Sequence, residues 1–156
     1  MLEIRVLELG NGLAAAYATK LLVDLGATVT KAEPPRGDPL RCHGPSPTAH
    51  ADRGSGLFQY LNAGKGSVEL DTTAETDRSR LAALAEQHHI LVESLGPGEL
   101  ESLHVPAPRT VVRISPFGQS GPYRNRPATS AVLQAAGGWT ARIGTPEGPP
   151  YFVGGH

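Results

Sequence analysis

The sequence predicts an α/β fold in which a largely parallel sheet lies between two layers of helices. Strand-like and helix-like segments alternate along the chain, the strand-like runs are short and apolar, and glycine or proline separates many of the segments. Apolar runs of this kind are typical of parallel strands, which are buried on both faces. We therefore expect a three-layer sandwich, with residues 1–156 forming a single domain.

The first βαβ unit is the clearest of these segments. A short apolar strand at 4–9 is followed by the motif GNGLAA at 10–15, and apolar residues recur at helical spacing over 13–25. Gly26 stands where a left-handed helix cap is expected, and a second strand follows at 27–33. This pattern makes the predicted sandwich Rossmann-like.

The alternation continues through the rest of the chain. We expect further strands at 67–71, 89–95 and 109–115, and further helices at 73–87 and 128–136. The stretch 36–56 contains several prolines and glycines and has no periodicity, so it is predicted to be a long irregular loop.

Composition and charge exclude several classes of protein. The chain has 14 Lys and Arg residues against 15 Asp and Glu residues, so it lacks the basic surface that a nucleic-acid binder needs. The single cysteine, Cys42, cannot form an internal disulfide, and the charged start MLEIR does not resemble a signal peptide. No segment approaches the roughly 20 apolar residues of a membrane span. We expect a cytoplasmic protein that binds neither nucleic acid nor membrane.

The glycine-rich turn raises the question of a dinucleotide ligand, NAD or FAD. A G-x-G-x-x-A motif after a strand, with an acid such as Glu33 after the second strand, is the fingerprint of such sites. The motif is weakly specific, because a helix that packs closely on a strand needs small residues even without a phosphate. Dinucleotide binding therefore stays an alternative, and we favour a structural role for Glu33.

The histidines and the cysteine do not suggest a metal site. Cys42, His43 and His50 lie in the proline-rich loop, and their spacing matches no zinc motif. His88 and His89 follow the predicted helix 73–87, where a cation stabilises the helix dipole. We expect structural roles for these residues and no metal.

Three basic residues could contact an anionic ligand. Lys65 lies between Gly64 and Gly66, and we favour a lysine on the surface of a glycine turn over a phosphate contact. Arg124 and Arg126 lie in a predicted loop, where we favour solvation over ligand binding.

Five stretches resemble the N-terminal half of the class III CoA-transferases. They are YATKLLVDLGATVTKAEPPRGDPLR (17–41), LNAGKGSVELD (61–71), LVESLGPGELESL (91–103), ISPFGQSGPYRNRPATSAVLQAAGG (114–138) and GTPEGPP (144–150). The family includes formyl-CoA transferases, carnitine CoA-transferases and 2-methylacyl-CoA racemases. Each motif is modest alone, but together, in this order, they are specific and span nearly the whole chain.

The resemblance implies CoA or acyl-CoA as the cofactor. It places Leu13 and Ala14 near the thioester. The positions that it implies for the adenosine and phosphates are Leu70, Asp71, Thr72, Thr73, Ser94, Leu95 and Gly96. The chain departs from the family pattern in having Ala14-Ala15-Ala16 for Ala-Gly-Pro and Ser94-Leu95 for Asn-Phe. The second departure removes an aromatic surface for adenine, which is worth about 1 kcal/mol of stacking.

The resemblance leaves the catalytic residues of this chain unknown. The family's transferases carry the acyl group on an aspartate, and spacing from the Gly-Pro-Pro turn places that residue just beyond His156. The family's racemases use a histidine at the position of Thr129. We therefore expect a truncated relative that is repurposed for acyl-CoA or other small-molecule chemistry, or that works with a second polypeptide. A non-catalytic CoA-binding or partner-binding subunit is the alternative.

The resemblance also implies a partner chain. Members of the family bury this domain against their second half, so we expect the present chain to expose apolar surface. A homo-oligomer or a complex with a complementary subunit would cover that surface.

Overall fold

The computed structural model describes residues 3–43 and 55–153. The chain divides into two compact units, Met1–Ser115 and Pro116–His156. The sheet and the helices that cover it lie in the first unit.

Among the described residues, the strands form one parallel sheet in the order β3-β2-β1-β4-β5. The strands are β1 (Arg5–Leu9), β2 (Thr28–Glu33), β3 (Gly66–Glu69), β4 (Ile90–Glu93) and β5 (Thr110–Arg113). The chain builds outward from β1 to β3 and then returns to the other side of β1, so the strand order reverses between β1 and β4. In open α/β sheets, ligands bind outside the carboxyl ends of the strands at such a reversal.

The first face of the sheet is covered by a helix that in turn contacts a second helix. The helix α1 (Leu13–Asp24) packs Ala15 against Val6, Val29 and Val92 of the sheet. Small side chains on α1 let its backbone approach the strands closely. The helix α2 (Gly56–Asn62) packs against α1 through an apolar cluster of Ala16, Leu40, Phe58 and Leu61.

The second face is covered by α3 (Glu75–Gln87) and by the short helix α4 (Glu99–Ser102). Their buried leucines, Leu81 and Leu100, belong to one apolar cluster with Leu7 and Leu91 of the sheet. Helices therefore lie on both faces, and the predicted three-layer α/β sandwich is confirmed.

The second unit contains the helix α5 (Ser130–Ala136) and a 3-10 turn at Thr140–Arg142. Thr129 caps α5, because its hydroxyl oxygen accepts a hydrogen bond from the Val132 amide at 3.4 Å. The Gln134 amide group exchanges two hydrogen bonds, of 3.1 and 3.2 Å, with the backbone of Val153. Several large apolar side chains of this unit are exposed: Tyr123, Val132, Leu133, Trp139, Tyr151, Phe152 and Val153.

The structure corrects the prediction of an irregular loop over 36–56. Pro39–Cys42 form a 3-10 turn, and α2 begins at Gly56. The Ser55 hydroxyl starts α2 by accepting a hydrogen bond from the Phe58 amide at 3.1 Å and donating one to the Leu40 carbonyl at 2.6 Å. A seven-residue helix is too short to show a clear apolar period, so local capping and contact with α1 determine it. Residues 44–54 of the predicted loop lie outside the described residues.

Gly10 allows the segments that follow β1 and β4 to lie close together. Its φ angle is 124°, and a Cβ atom on it would lie 2.5 Å from Ser94 Oγ and 3.0 Å from Ser94 N. The Ser94 amide also donates to the Leu9 carbonyl at 3.1 Å. The first glycine of the motif is therefore required by strand packing.

We expect Gly10→Ala to destabilise the protein more than Gly26→Ala. Both glycines have positive φ angles, but a Cβ on Gly26 would meet no atom within 4 Å. Gly26→Ala should lower the free energy of unfolding by about 1–2 kcal/mol from backbone strain. Gly10→Ala adds a steric conflict worth roughly another 1–3 kcal/mol. Urea unfolding of the two variants measures the difference, and equal losses would show that the contact with Ser94 is not restrictive.

Candidate functional site

The carboxyl ends of the strands frame a groove at the reversal of strand order. The groove has about 370 Å³ of empty space, part of it open to solvent. We call it the edge groove; it is lined by Leu9, Gly10, Asn11, Ala32, Glu33, Pro34, Leu70, Thr72 and Leu95. The lining is largely apolar and comes from residues at or just after the ends of β1, β2, β3 and β4.

The edge groove brings together the two segments that the family resemblance assigned to adenosine and phosphates. Leu70 and Thr72, after β3, line one side, and Leu95, after β4, lines another. Leu70 is buried, and its amide donates to the Glu33 carbonyl at 2.8 Å. Gly96 follows Leu95, but its amide already donates to a Glu99 carboxylate oxygen at 3.0 Å.

Asp71 and Thr73 form the turn that presents Thr72. The Thr73 hydroxyl and amide donate to Asp71 Oδ1 at 2.6 and 2.9 Å. These hydrogen bonds lower the pKa of Asp71 below its ordinary value. The Asp71 amide donates to Asp77 Oδ2 on α3 at 2.8 Å, which fixes the turn to the helix. The two residues therefore shape the groove without lining it.

Leu13 and Ala14 lie in a different depression. They are the first residues of α1 and, with α2, they form a groove of about 690 Å³ of empty space that is open to solvent. We call it the apolar groove; it is lined by Leu13, Ala14, Tyr17, Leu57, Tyr60 and Leu61. The predicted site residues therefore fall into two surfaces, both in the first unit.

Four buried charged side chains meet between α1 and the sheet. We call them the buried ion cluster: Glu8 on β1, Lys31 on β2, Asp38 in the loop after β2 and Lys65 after α2. Lys31 Nζ lies 2.5 Å from Glu8 Oε1 and 2.8 Å from Asp38 Oδ2. Lys65 Nζ lies 2.8 Å from Glu8 Oε2. Each of the four side chains is at most 1% exposed, so they neutralise one another out of contact with water.

Asp38 of the cluster also binds the start of α1. The amide of Gly12, the N-cap residue, donates to both Asp38 carboxylate oxygens at 3.3 Å, and the Leu40 amide donates to Oδ1 at 2.8 Å. Dinucleotide-binding folds hold a pyrophosphate at this helix terminus. Here an internal carboxylate lies at that place and is also paired with Lys31. This arrangement disfavours the dinucleotide alternative.

The two buried lysines have shifted pKa values of opposite direction. Burial alone would lower the pKa of Lys31, but attraction to Glu8 and hydrogen bonds to Asp38 and Glu8 outweigh it and raise the pKa above its ordinary value. Burial lowers the pKa of Lys65, and its contact with Glu8 only partly offsets the effect. The prediction that Lys65 lies on the surface was wrong: its ammonium group also donates to the Ala16 carbonyl and to the Asn62 side chain.

The hydrogen-bond partners of Glu33 indicate a structural role for its carboxylate. Its carboxylate accepts hydrogen bonds from Arg41 at 2.8 Å through two nitrogens, from the Ser67 hydroxyl at 2.7 Å and from the Asp38 amide at 3.1 Å. Burial alone would raise the pKa of Glu33, but these donors lower it to about 2. The carboxylate is therefore ionised at neutral pH and its contacts join β2, β3 and the following loop.

The remaining candidate residues have local partners. His88 Nδ1 lies 2.6 Å from the Leu84 carbonyl, and His89 Nδ1 accepts a hydrogen bond from the Arg5 amide at 3.0 Å. The guanidinium of Arg126 lies over the Tyr123 ring at 4.0 Å. In residues 3–43 and 55–153 there is no group of three His, Cys, Asp or Glu side chains that could hold a metal ion. His50 lies outside the described residues.

The sequence analysis did not predict the buried ion cluster, although the sequence contains a pattern that indicates it. Glu8 and Lys31 are charged residues in the middle of apolar strands, and they are direct partners in the β1–β2 register. Opposite charges at matching positions of two buried strands indicate an internal ion pair, since a lone buried charge is costly. Tyr17, Leu57 and Tyr60 of the apolar groove were also missed, because α2 was not predicted.

The fold places the edge groove at the carboxyl ends of parallel strands, where open α/β sheets bind their ligands. All 156 residues match the family model described as CoA-transferase family III, so the chain belongs to that family.

Similar proteins agree with this assignment. The chain is 35% identical to succinyl-CoA–D-citramalate CoA-transferase of Chloroflexus aurantiacus, with 97% of this chain and 39% of that protein covered. It is also 35% identical to acetyl-CoA:oxalate CoA-transferase of Acetobacter aceti, with 96% and 40% covered. A crystal structure of a CAIB/BAIF family protein from Brucella suis matches with a TM-score of 0.88 and 30% identity, covering 97% of this chain and 42% of that one. The chain thus spans about 40% of the length of these relatives.

Within the part of the chain that the structure describes, no helix has the length and hydrophobicity needed to cross a membrane.

We expect Lys31→Met to be strongly destabilising. The substitution leaves Glu8 and Asp38 buried with Lys65 as their remaining cation, and breaking a buried ion pair costs about 3–5 kcal/mol. Arg80→Met is the matched control, because Arg80 is paired with Asp77 at the surface of α3. Urea unfolding should show a large loss for the first variant and little change for the second. A small loss for Lys31→Met would mean that the cluster does not stabilise the fold.

Proposed function

We propose that the chain binds CoA or an acyl-CoA thioester, with the adenosine and phosphates in the edge groove. The main support for this proposal is that Leu70, Thr72 and Leu95 line the same groove, at the point where the strand order reverses. The family resemblance implies CoA contacts for both of the segments that contain these residues. Their convergence supports a common ligand.

The chemistry of the edge groove suits the adenosine end of CoA. Leu9, Ala32 and Leu95 offer apolar surface to a base, and the Thr72 hydroxyl and the Asn11 amide offer polar contacts. Because Asp38 holds the Gly12 amide, we propose that the phosphates are bound beyond the start of α1, by the loops after β3 and β4. The similar proteins from C. aurantiacus and A. aceti carry CoA thioesters in their names, which supports the same class of ligand for this chain.

The residues around the grooves point to a chain that needs further groups for acyl transfer. Glu33 is the acid that lines the edge groove, and Arg41, Ser67 and the Asp38 amide hold its carboxylate. Among the residues that the structure describes, no acidic side chain lines the apolar groove. Thr129, at the racemase position, caps α5 with a hydroxyl that is not a base at neutral pH.

We therefore propose an acyl-CoA-processing protein in one of two forms. In the first, a complementary segment or subunit supplies the acyl-accepting carboxylate; in the second, the fold is repurposed for another small-molecule reaction of an acyl-CoA. The alternative is a non-catalytic CoA-binding subunit. This alternative is favoured because the Glu33 carboxylate is held by hydrogen bonds to Arg41 and Ser67 and is therefore not free to react. The exposed Trp139, Tyr151 and Phe152 support a homo-oligomer or a complementary partner, and we propose that the protein works in the cytoplasm.

We expect CoA to stabilise the chain and a negative charge at position 72 to abolish the effect. A ligand present at about 100 times its dissociation constant raises the free energy of unfolding by about 2.7 kcal/mol. Thr72→Glu places a carboxylate in the edge groove, where it would repel the phosphates of CoA. The matched control is Thr110→Glu, because Thr110 is exposed at the start of β5, away from the carboxyl ends of the strands.

We would measure the thermal shift that CoA, acetyl-CoA, NAD and FAD cause in the unmodified chain, in Thr72→Glu and in Thr110→Glu. The proposal requires a shift with CoA and acetyl-CoA that survives in Thr110→Glu and disappears in Thr72→Glu. A shift with NAD or FAD alone would support the dinucleotide alternative. No shift with any of the four would remove the proposal.

A further inference from the structure

We propose that the apolar groove between α1 and α2 receives the acyl chain of the thioester and favours an uncharged hydrocarbon chain over a dicarboxylic one. This inference rests on the proposed function, because it assumes that CoA occupies the edge groove. It goes further by naming the class of acyl group.

Among residues 3–43 and 55–153, those that line the apolar groove carry no charged side chain. Leu13, Ala14 and Tyr17 come from α1, and Leu57, Tyr60 and Leu61 come from α2. Tyr17 and Tyr60 are 50% and 60% exposed, so large aromatic surfaces remain available to a ligand. A hydrocarbon chain placed between the two helices would remove this surface from water, at about 25 cal/mol for each Å² buried.

Two lysines near the groove, in the part of the chain that the structure describes, are engaged with other groups. Lys20, one helical turn after Tyr17, lies 2.7 Å from Asp24 Oδ1 and 2.8 Å from Oδ2, and its ammonium group is 5.2 Å from the centre of the Tyr60 ring. Lys65 is buried beneath α1 and bound to Glu8. A carboxylate at the end of an acyl group would therefore find neither lysine free, and its desolvation would weaken binding.

The two grooves adjoin at the start of α1. Gly10 and Asn11 line the edge groove, and Leu13, two residues further along, lines the apolar groove. The intervening Gly12 amide is bound to Asp38, so the turn is held in place. A thioester with its adenosine in the edge groove can therefore extend over this turn and place its acyl chain between α1 and α2.

The experiment measures dissociation constants by calorimetry for CoA and for butyryl-, hexanoyl-, octanoyl- and succinyl-CoA. Affinity should rise along the hydrocarbon series by about fourfold for each fully buried methylene. Burial of two methylenes of the hexanoyl chain is enough for hexanoyl-CoA to bind about tenfold more tightly than CoA. Succinyl-CoA should bind no more tightly than CoA.

Leu57→Lys places a cation in the groove. In this variant hexanoyl-CoA should bind no more tightly than CoA, and the affinity for succinyl-CoA should rise relative to the affinity for CoA. Tyr60→Lys, at an exposed position, provides the same test if Leu57→Lys does not fold. Leu25→Lys is the control, because Leu25 is 84% exposed and does not line the groove, and it should leave every ratio unchanged.

The possible failures are distinguishable. If CoA itself does not bind, the proposed function fails and this inference fails with it. If CoA binds but the hydrocarbon series is flat, or succinyl-CoA binds most tightly, the proposed function stands and this inference is overturned. If Leu57→Lys converts a dimer to a monomer in sedimentation and leaves the acyl series unchanged, a second copy of the chain covers the groove, which also overturns it.

Discussion

The rest of the structure depends on the neutralisation of charge between α1 and the sheet. Glu8, Lys31, Asp38 and Lys65 bring two carboxylates and two ammonium groups together, each at most 1% exposed. Because a buried charge without a partner is expensive, each of these residues requires the others to be in place. The cluster therefore fixes the position of the loop after β2 and of the turn after α2 relative to the two central strands. Both grooves are bounded by elements that the cluster holds.

This constraint also explains how a Rossmann-like βαβ unit can differ from a dinucleotide site. The glycine motif remains, but Gly10 is needed for the approach of β1 to Ser94, and the Gly12 amide binds Asp38. One amide of the helix terminus that holds a phosphate in other proteins is thus bound within the chain. The ligand site that we propose therefore uses the loops after β3 and β4 and the apolar side of α1, which suits a long ligand such as a CoA thioester.

The parts of the fold that follow from regular patterns could be predicted from the sequence. The apolar spacing of α1 and the apolar runs of β1 and β4 identified these elements to within a few residues. The helix α2 could not be predicted, because seven residues capped by Ser55 show no period of their own. Lys65 was misplaced for a similar reason: two flanking glycines indicate an exposed turn, and only the fold brings Glu8 within 2.8 Å of its side chain. The family resemblance pointed to the segments that line the edge groove. That these segments lie side by side could be known only from the strand order of the folded sheet.

The most direct test of this account is amide chemical-shift mapping of the ¹⁵N-labelled chain during titration with CoA. We expect the amides of Leu70, Thr72 and Leu95 to shift strongly and saturably, because they belong to the loops around the edge groove. The Gly12 amide should keep its resonance position, because Asp38 holds it in the free and bound states alike. A large shift of Gly12 with unchanged amides in the 70–73 and 94–96 segments would place the phosphates at the start of α1 and contradict the account.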